Sequence, residues 1–270
     1  MPHLNHRDID TAYELIPSAA SDETVVLVHG FTGGMLDFQD EFAWLADQVN
    51  VLALDQRGHG TSSHQGPYSL EVLARDLLSL LDHLQVGRVH LLGHSMGGMI
   101  ALRAALAQQQ RLASLILMDT APGPVALLDN AMLERVGTLV TEHGCGVLLE
   151  SMRQHAQPAH VQRGIDHLGE AEHWRRIRWK LEHMDPAAFV QLGKALGEQD
   201  DLTHQLPSLT IPVSVIVGED DQPFVEPSKT MAALIPHASL HLIANAGHSP
   251  QYENRSGWRG AIEAHLTQAR

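Results

Sequence analysis

Short apolar runs recur along the chain and alternate with longer stretches in which apolar residues return every three or four positions. The runs are Thr24–Val28, Val49–Leu54, Val89–Leu92, Leu115–Met118, Pro212–Val217 and Ser239–Ile243. Each has the length of a β-strand, and the intervening stretches have the period of amphipathic helices. Between the second and third runs, Leu70, Leu73, Leu77, Leu80, Leu81 and Leu84 predict a helix over Ser69–Val86, with Ser69 as its N-cap. Trp258, Ile262 and Leu266 mark a last helix over Gly257–Gln268. This alternation predicts an α/β fold, a mostly parallel sheet flanked by helices on both faces. The weaker segment Ile9–Ile16 is read as supplying an antiparallel edge hairpin.

From about Pro122 to Pro207 the strand rhythm stops. The stretch is helical in pattern and broken by Gly144, Pro158, Gly169 and Pro186, and Ile211-Pro212-Val213 then restarts the sheet. A helical insertion between two core strands predicts a cap over the C-terminal sheet edge, where open α/β sheets bind ligands. The predicted division is a core of residues 1–121 and 208–270 and a helical cap of residues 122–207. Apolar candidates for a pocket in the cap are Leu127, Met132, Leu148, Met152, Trp174, Trp179 and Phe189, although helical spacing equally suits a core.

Composition narrows the function classes. A chain of 270 residues with 44% hydrophobic content belongs with soluble globular proteins. Its formal charge of −14 argues against nucleic acid and anionic membranes as partners, and no basic cluster offsets it. The 19 histidines are scattered rather than grouped at ligand spacing. His90 and His94 fall on one strand, where four residues span about 13 Å, too far to share an ion. No metal and no cofactor are expected. The lone Cys145 fits a reducing compartment. The polar N-terminus has no signal-peptide pattern and no apolar run reaches membrane-span length, so a cytoplasmic protein is expected.

The chemistry concentrates where strands end. Gly93-His94-Ser95-Met96-Gly97-Gly98 lies between a strand and a helix, the context of a nucleophile elbow. There a tight turn lifts a serine hydroxyl above the sheet, and the following helix aims its free N–H groups at a developing oxyanion. His29-Gly30-Phe31 follows the first strand, so the backbone amides of Phe31 and Met96 are the expected oxyanion hole. A serine is a weak nucleophile until an imidazole takes its proton, and the imidazole needs a carboxylate partner. Gly247-His248 supplies the imidazole, and Gly218-Glu219-Asp220-Asp221 offers two carboxylates. Asp55 and His59, in the loop Asp55–Ser62, are read as bracing that loop rather than as catalytic.

These motifs, with Arg57-Gly58-His59-Gly60, give the chain from about Thr24 onward a resemblance to the α/β-hydrolases, and particularly to small bacterial esterases. The resemblance implies a Ser95–Asp221–His248 triad, because the family's acid usually stands three residues after the glycine at position 218. Asp119 is the alternative, since some relatives carry the acid after an earlier strand. It implies hydrolysis of a small-molecule ester through an acyl-enzyme. Ser95 excludes the branches with an aspartate nucleophile. The competing readings are a carbon–carbon hydrolase of aromatic ring-cleavage products and a ligand receptor on the same scaffold. The carbon–carbon branch often carries Asn before the nucleophile and Trp after the histidine, where this chain has His94 and Ser249. The cap does contain Arg153, Arg163, Arg175, Arg176 and Arg178, which could grip a carboxylate.

Overall fold

In a computed structural model of the chain, residues 1–125, 130–155 and 157–269 are described, apart from the side chain at position 130. Eight strands form one sheet: β1 (His3–His6), β2 (Ile9–Ile16), β3 (Thr24–Val28), β4 (Asn50–Leu54), β5 (Val89–His94), β6 (Leu112–Met118), β7 (Val213–Gly218) and β8 (Ser239–Ile243). Their order is β1-β2-β4-β3-β5-β6-β7-β8. Strands β3 to β8 are parallel, and the β1–β2 hairpin is added antiparallel against β4.

The helices are α1 (Phe42–Ala46), α2 (Leu70–His83), α3 (Met96–Gln108), α4 (Asn130–His143), α5 (Leu148–Gln154), α6 (Ala159–Leu168), α7 (Glu170–Glu182), α8 (Pro186–Glu198), α9 (Gln222–Leu234), α10 (Pro250–Glu253) and α11 (Arg255–Ala269). Alternate residues of each central strand feed opposite cores, as a period of two demands. Val26, Leu91, Leu117 and Val215 pack with α2, α3 and α9, whereas Val25, Leu92, Ile116 and Ile216 pack with α1 and α11.

Capping sets the helix boundaries. Ser69 Oγ accepts the Val72 amide and starts α2, which stops before Gln85, a residue with φ of 53°. Helix α11 begins two residues earlier than the apolar pattern indicates, because Asn254 caps it by accepting the Gly257 amide at 3.0 Å. Hairpin β1–β2 closes through Arg7 and Asp8, both at positive φ (51° and 61°), as a two-residue turn matched to strand twist requires. Its polar first strand escapes the apolar pattern, since its buried member His6 is satisfied by Thr11 and Ser79.

Helices α4 to α8 lie between β6 and β7, and the four breakers fall at helix ends. Gly144 precedes the 3₁₀ turn at Cys145–Val147, Pro158 precedes α6, Gly169 separates α6 from α7, and Pro186 opens α8. The segment leaves and rejoins the core through a neck. There Leu202 N donates to Pro122 O at 2.9 Å and Val125 N to Leu196 O at 2.8 Å. It is tied down by Arg176 on Asp40, Lys180 on Asp37, Arg163 on Asp220 and Tyr68 on Asp185.

At the opposite end of the sheet, α11 presses a histidine between β6 and β7. His265 Nδ1 lies 2.8 Å from Ser214 Oγ and its Nε2 2.6 Å from Ser114 Oγ, which also bonds His90 Nδ1 at 2.7 Å. Burial first, then the neighbouring His90 and His241, push His265 down to about 3. Among the described residues, no helix is long and apolar enough to cross a membrane.

Candidate active site

The C-terminal ends of β3, β5, β7 and β8 deliver Phe31, Ser95, Asp221 and His248 to one edge of the sheet. Ser95 occupies the turn between β5 and α3 with φ 55° and ψ −121°, a conformation sparsely populated for any side chain larger than glycine. The turn is possible because α3 starts against β3. A Cβ on Gly97 would sit 2.2 Å from the Val28 carbonyl oxygen. Ser95 N donates to Met118 O at 2.8 Å and Thr120 Oγ1 donates to Ser95 O at 2.7 Å, so both sides of the strained residue are anchored on the end of β6.

His248 Nε2 stands 2.9 Å from Ser95 Oγ, and its Nδ1 stands 2.8 Å from Asp221 Oδ2. Asp221 and Ser95 are buried, while the His248 side chain is 38% exposed and therefore reachable from outside. The imidazole is stacked on Phe224 with ring centroids 4.9 Å apart. Such an arrangement lets the imidazole take the hydroxyl proton while the carboxylate stabilises the resulting cation.

The other carboxylates considered from sequence are occupied elsewhere. Asp220 is exposed and pairs with Arg163 at 2.8 Å. Asp119 is fully buried at the end of β6, where Oδ1 accepts the Gly218 amide at 2.9 Å. Burial, followed by the charge of nearby Asp221, raises its carboxyl well above the ordinary range. It thus neighbours the acid loop while Asp221 faces the imidazole.

The Phe31 and Met96 amides have no acceptor among the described residues. Gly30 brings the first of them close, since a Cβ there would lie 3.0 Å from Ser95 Cβ. The loop carrying Phe31 is rigidly held. His29 donates from Nδ1 to Gly30 O at 2.8 Å and accepts the Gln56 amide on Nε2 at 3.0 Å. Gly34 N donates to Asp37, and Met35 N donates to Asp55 at 2.8 Å. Burial would raise the Asp37 carboxyl, but Lys180 beside it reverses the effect and holds it below its usual value. Asp55 also accepts the Thr61 amide, and Arg57 pairs with Asp76 at 2.7 Å, in keeping with the bracing role read from sequence.

Three residues escape sequence reasoning. His94, buried beside the nucleophile and pushed down to about 3 by burial and then by His248, donates from Nε2 to the His248 carbonyl at 2.6 Å. Glu253 accepts the amides of Gly247 and Ser249. Lys180 reaches from α7 to Asp37, just after the loop that carries Phe31. All join residues far apart in sequence or carry no motif.

Of the apolar candidates in the inserted helices, Phe189 adjoins the site, its ring 5.1 Å from that of Phe31. Trp174 lies under Arg153, Trp179 stacks on His183, Leu148 packs on the core, and Met132 and Met152 are exposed. Leu127 lies outside the described residues. Arg163, Arg175 and Arg176 are each paired with an acid. A cavity of about 140 Å³ beside the histidine loop is lined by Ser249, Tyr252, Asp37, Lys180 and His173. A larger one of about 630 Å³ lies between α4 and α8, lined by Leu133, Gly137, Val190 and Lys194, and does not reach Ser95. No group of three or more metal-ligating side chains occurs among the described residues.

A model of the alpha/beta hydrolase family matches residues 25–258. The chain belongs to the α/β-hydrolase family. It is 33% identical over 234 residues to the dihydrolipoyllysine-residue acetyltransferase component of the acetoin cleaving system of Pseudomonas putida, covering 85% of this chain and 59% of that longer protein. It is 30% identical over 277 residues to a 2-hydroxy-6-oxononadienedioate/2-hydroxy-6-oxononatrienedioate hydrolase of Cupriavidus pinatubonensis, covering 95% and 91% of the two chains. Among solved structures, a thermophilic esterase from Thermogutta terrifontis superposes with a TM-score of 0.81 at 30% identity, covering 97% of this α/β-hydrolase and 94% of the esterase. The family supports a hydrolase, and the substrate is a matter of the site.

Proposed function

We propose that this α/β-hydrolase cleaves small carboxylic esters through an acyl-enzyme on Ser95. The observation that carries the reading is the placement of His248 between the Ser95 hydroxyl at 2.9 Å and the Asp221 carboxylate at 2.8 Å. His248 Nε2 takes the Ser95 proton as Oγ attacks the ester carbonyl. The Phe31 and Met96 amides hold the oxyanion, each such donor contributing about 3 kcal/mol in comparable sites. The imidazolium, oriented and stabilised by Asp221, protonates the leaving alcohol. Water then repeats the sequence on the acyl-enzyme, with His248 as base, and releases the acid.

Residues 122–207 serve as a cap in this reading. Helix α8 brings Phe189 against Phe31, next to the oxyanion amide, where an acyl chain would meet it. Lys180 and Arg176 dock α7 on the loop and helix that follow β3.

One observation favours the carbon–carbon reading: the Cupriavidus relative is named for 2-hydroxy-6-oxo dienedioate substrates. Against it, His94 is committed to the His248 carbonyl, and three of the six arginines in the inserted helices, Arg163, Arg175 and Arg176, are paired with acids. The deciding experiment assays purified wild type and Ser95→Ala on p-nitrophenyl esters of short and long chain, lactones and a ring-cleavage dienoate. Labelling by an organophosphonate, mapped by mass spectrometry, accompanies it. Ester turnover that is lost in Ser95→Ala, with the label on Ser95, is expected. An active Ser95→Ala protein, or a label elsewhere, overturns the proposal.

A further inference from the structure

We infer that Glu253 is a positioning residue for this reaction, holding His248 in place by binding both backbone amides that flank it. The inference rests on the ester-hydrolase reading and adds to it the residue that fixes the base. Glu253 is the last residue of α10, and its side chain turns back onto the loop that precedes the helix. Oε1 accepts the Ser249 amide at 3.1 Å, and Oε2 accepts the Gly247 amide. One carboxylate therefore grips the chain immediately before and immediately after His248. His94 binds the His248 carbonyl from the other side at 2.6 Å, and Phe224 backs the ring.

A helix cap alone does not account for this. A side chain reaching back to the N-cap amide is ordinary at a helix start, and the Ser249 bond fits that role. The Gly247 amide lies two residues before the N-cap, outside the helix, and its bond serves the loop rather than α10. The carboxylate is also held from above. Helix α6 packs Gly164 against Glu253, with a Cβ there falling 3.8 Å from Glu253 Cγ, and lays the His160 ring on Gly247, where a Cβ would fall 2.5 Å from it. The backbone around His248 is thus confined from four directions. Its imidazole must meet two partners at hydrogen-bond length at once, so small displacements of this loop are costly. A misplacement of about 1 Å at a reacting group can lower a rate on the order of 10²-fold.

The test compares Glu253→Gln and Glu253→Asp with wild type. Glutamine keeps the shape but presents an NH₂ to one of the two amides, and aspartate keeps the charge but is one methylene too short to reach both. Both variants are expected to lose about 10- to 100-fold in kcat with KM within about threefold, as for a group acting on the chemical step. Phosphonate labelling of Ser95 should slow in parallel. The downfield proton resonance of the His248 Nδ1–H···Asp221 bond should broaden or vanish in both, while thermal unfolding remains a single transition. A folded Glu253→Gln protein with kcat within twofold of wild type and an unchanged resonance overturns the inference. So does a loss of activity that merely tracks the loss of folded protein in both variants. If wild type hydrolyses no ester, the proposed function fails by itself, and the resonance comparison, which needs no substrate, still judges Glu253.

Discussion

Replacing His265 by glutamine should flatten the acid side of the stability curve while leaving the site at the other end of the sheet intact. The imidazole is 1% exposed and bonded through both nitrogens to Ser114 and Ser214, an arrangement that suits its neutral form. Its folded value is about 3 against 6.5 for an unperturbed imidazole. Between those limits the unfolded chain binds a proton that the folded chain refuses, so stability rises with pH across the window and falls on acidification below 6.5. At pH 5, one and a half pH units into the window at about 1.4 kcal/mol per unit, the lost contribution is about 2 kcal/mol relative to pH 8. Glutamine does not titrate. At pH 8 His265→Gln should be less stable by about 1–3 kcal/mol, the cost of imperfectly replaced buried hydrogen bonds. By pH 5 the gap should close by about 2 kcal/mol. His59 and His94, also pushed down to about 3 chiefly by burial, act equally on both proteins and cancel in the difference. Urea unfolding at pH 8, 6.5 and 5 reads the quantity directly. Parallel stability curves for the two proteins would refute the reasoning.

Asp221→Asn should lower kcat on the order of 10⁴-fold, while Asp220→Asn, which touches only an exposed ion pair, should leave it within about twofold. Asp119→Asn keeps an acceptor for the Gly218 amide and should mainly shift the unfolding temperature; a crippled Asp119→Asn enzyme would move the acid to the end of β6. Dialysis against a strong chelator should leave the ester rate unchanged, because the proposed chemistry needs no cation; recovery of lost activity on adding zinc or manganese would contradict it. For a short acyl ester, kcat/KM should exceed that for a ring-cleavage dienoate by at least about a hundredfold, the weight of roughly 3 kcal/mol of missing substrate contacts. Similar values would favour carbon–carbon chemistry.

Features set by local chemistry were readable along the chain, and features set by distant partners were not. The apolar runs marked β3 to β7 because buried parallel strands need apolar residues on both faces, and edge strand β8 by an apolar run that leaves Leu240 and Leu242 exposed. Strand β1 went unseen because His6 is buried by finding Thr11 and Ser79, not by being apolar. The start of α11 was misplaced because Asn254 caps it before the first apolar residue appears. At the candidate site, the turn at Ser95 constrains its own neighbours to be small, so it advertises itself. Between Asp220 and Asp221 the residues alone did not decide, and the family resemblance pointed to the one that faces His248. Glu253, His94 and Lys180 contribute through contacts that exist only once the loops are assembled. No spacing rule in one sequence encodes them.

The neck at Pro122 and Leu202 makes the inserted segment a removable part. Its incoming and outgoing chains are already joined by backbone hydrogen bonds, Leu202 N to Pro122 O and Val125 N to Leu196 O. Everything between can be lengthened, shortened or exchanged without disturbing strand order or register below. On the proposed reading, substrate choice can therefore change with the insert, provided a replacement keeps the packing of α6 on the histidine loop, where Gly164 meets Glu253 and His160 meets Gly247. A graft would have to respect the bolts that fasten the segment, Arg176 on Asp40, Lys180 on Asp37, Arg163 on Asp220 and Tyr68 on Asp185. If the insert selects substrate as proposed, recombination at the neck with selection on those joints would be a route from one substrate to another.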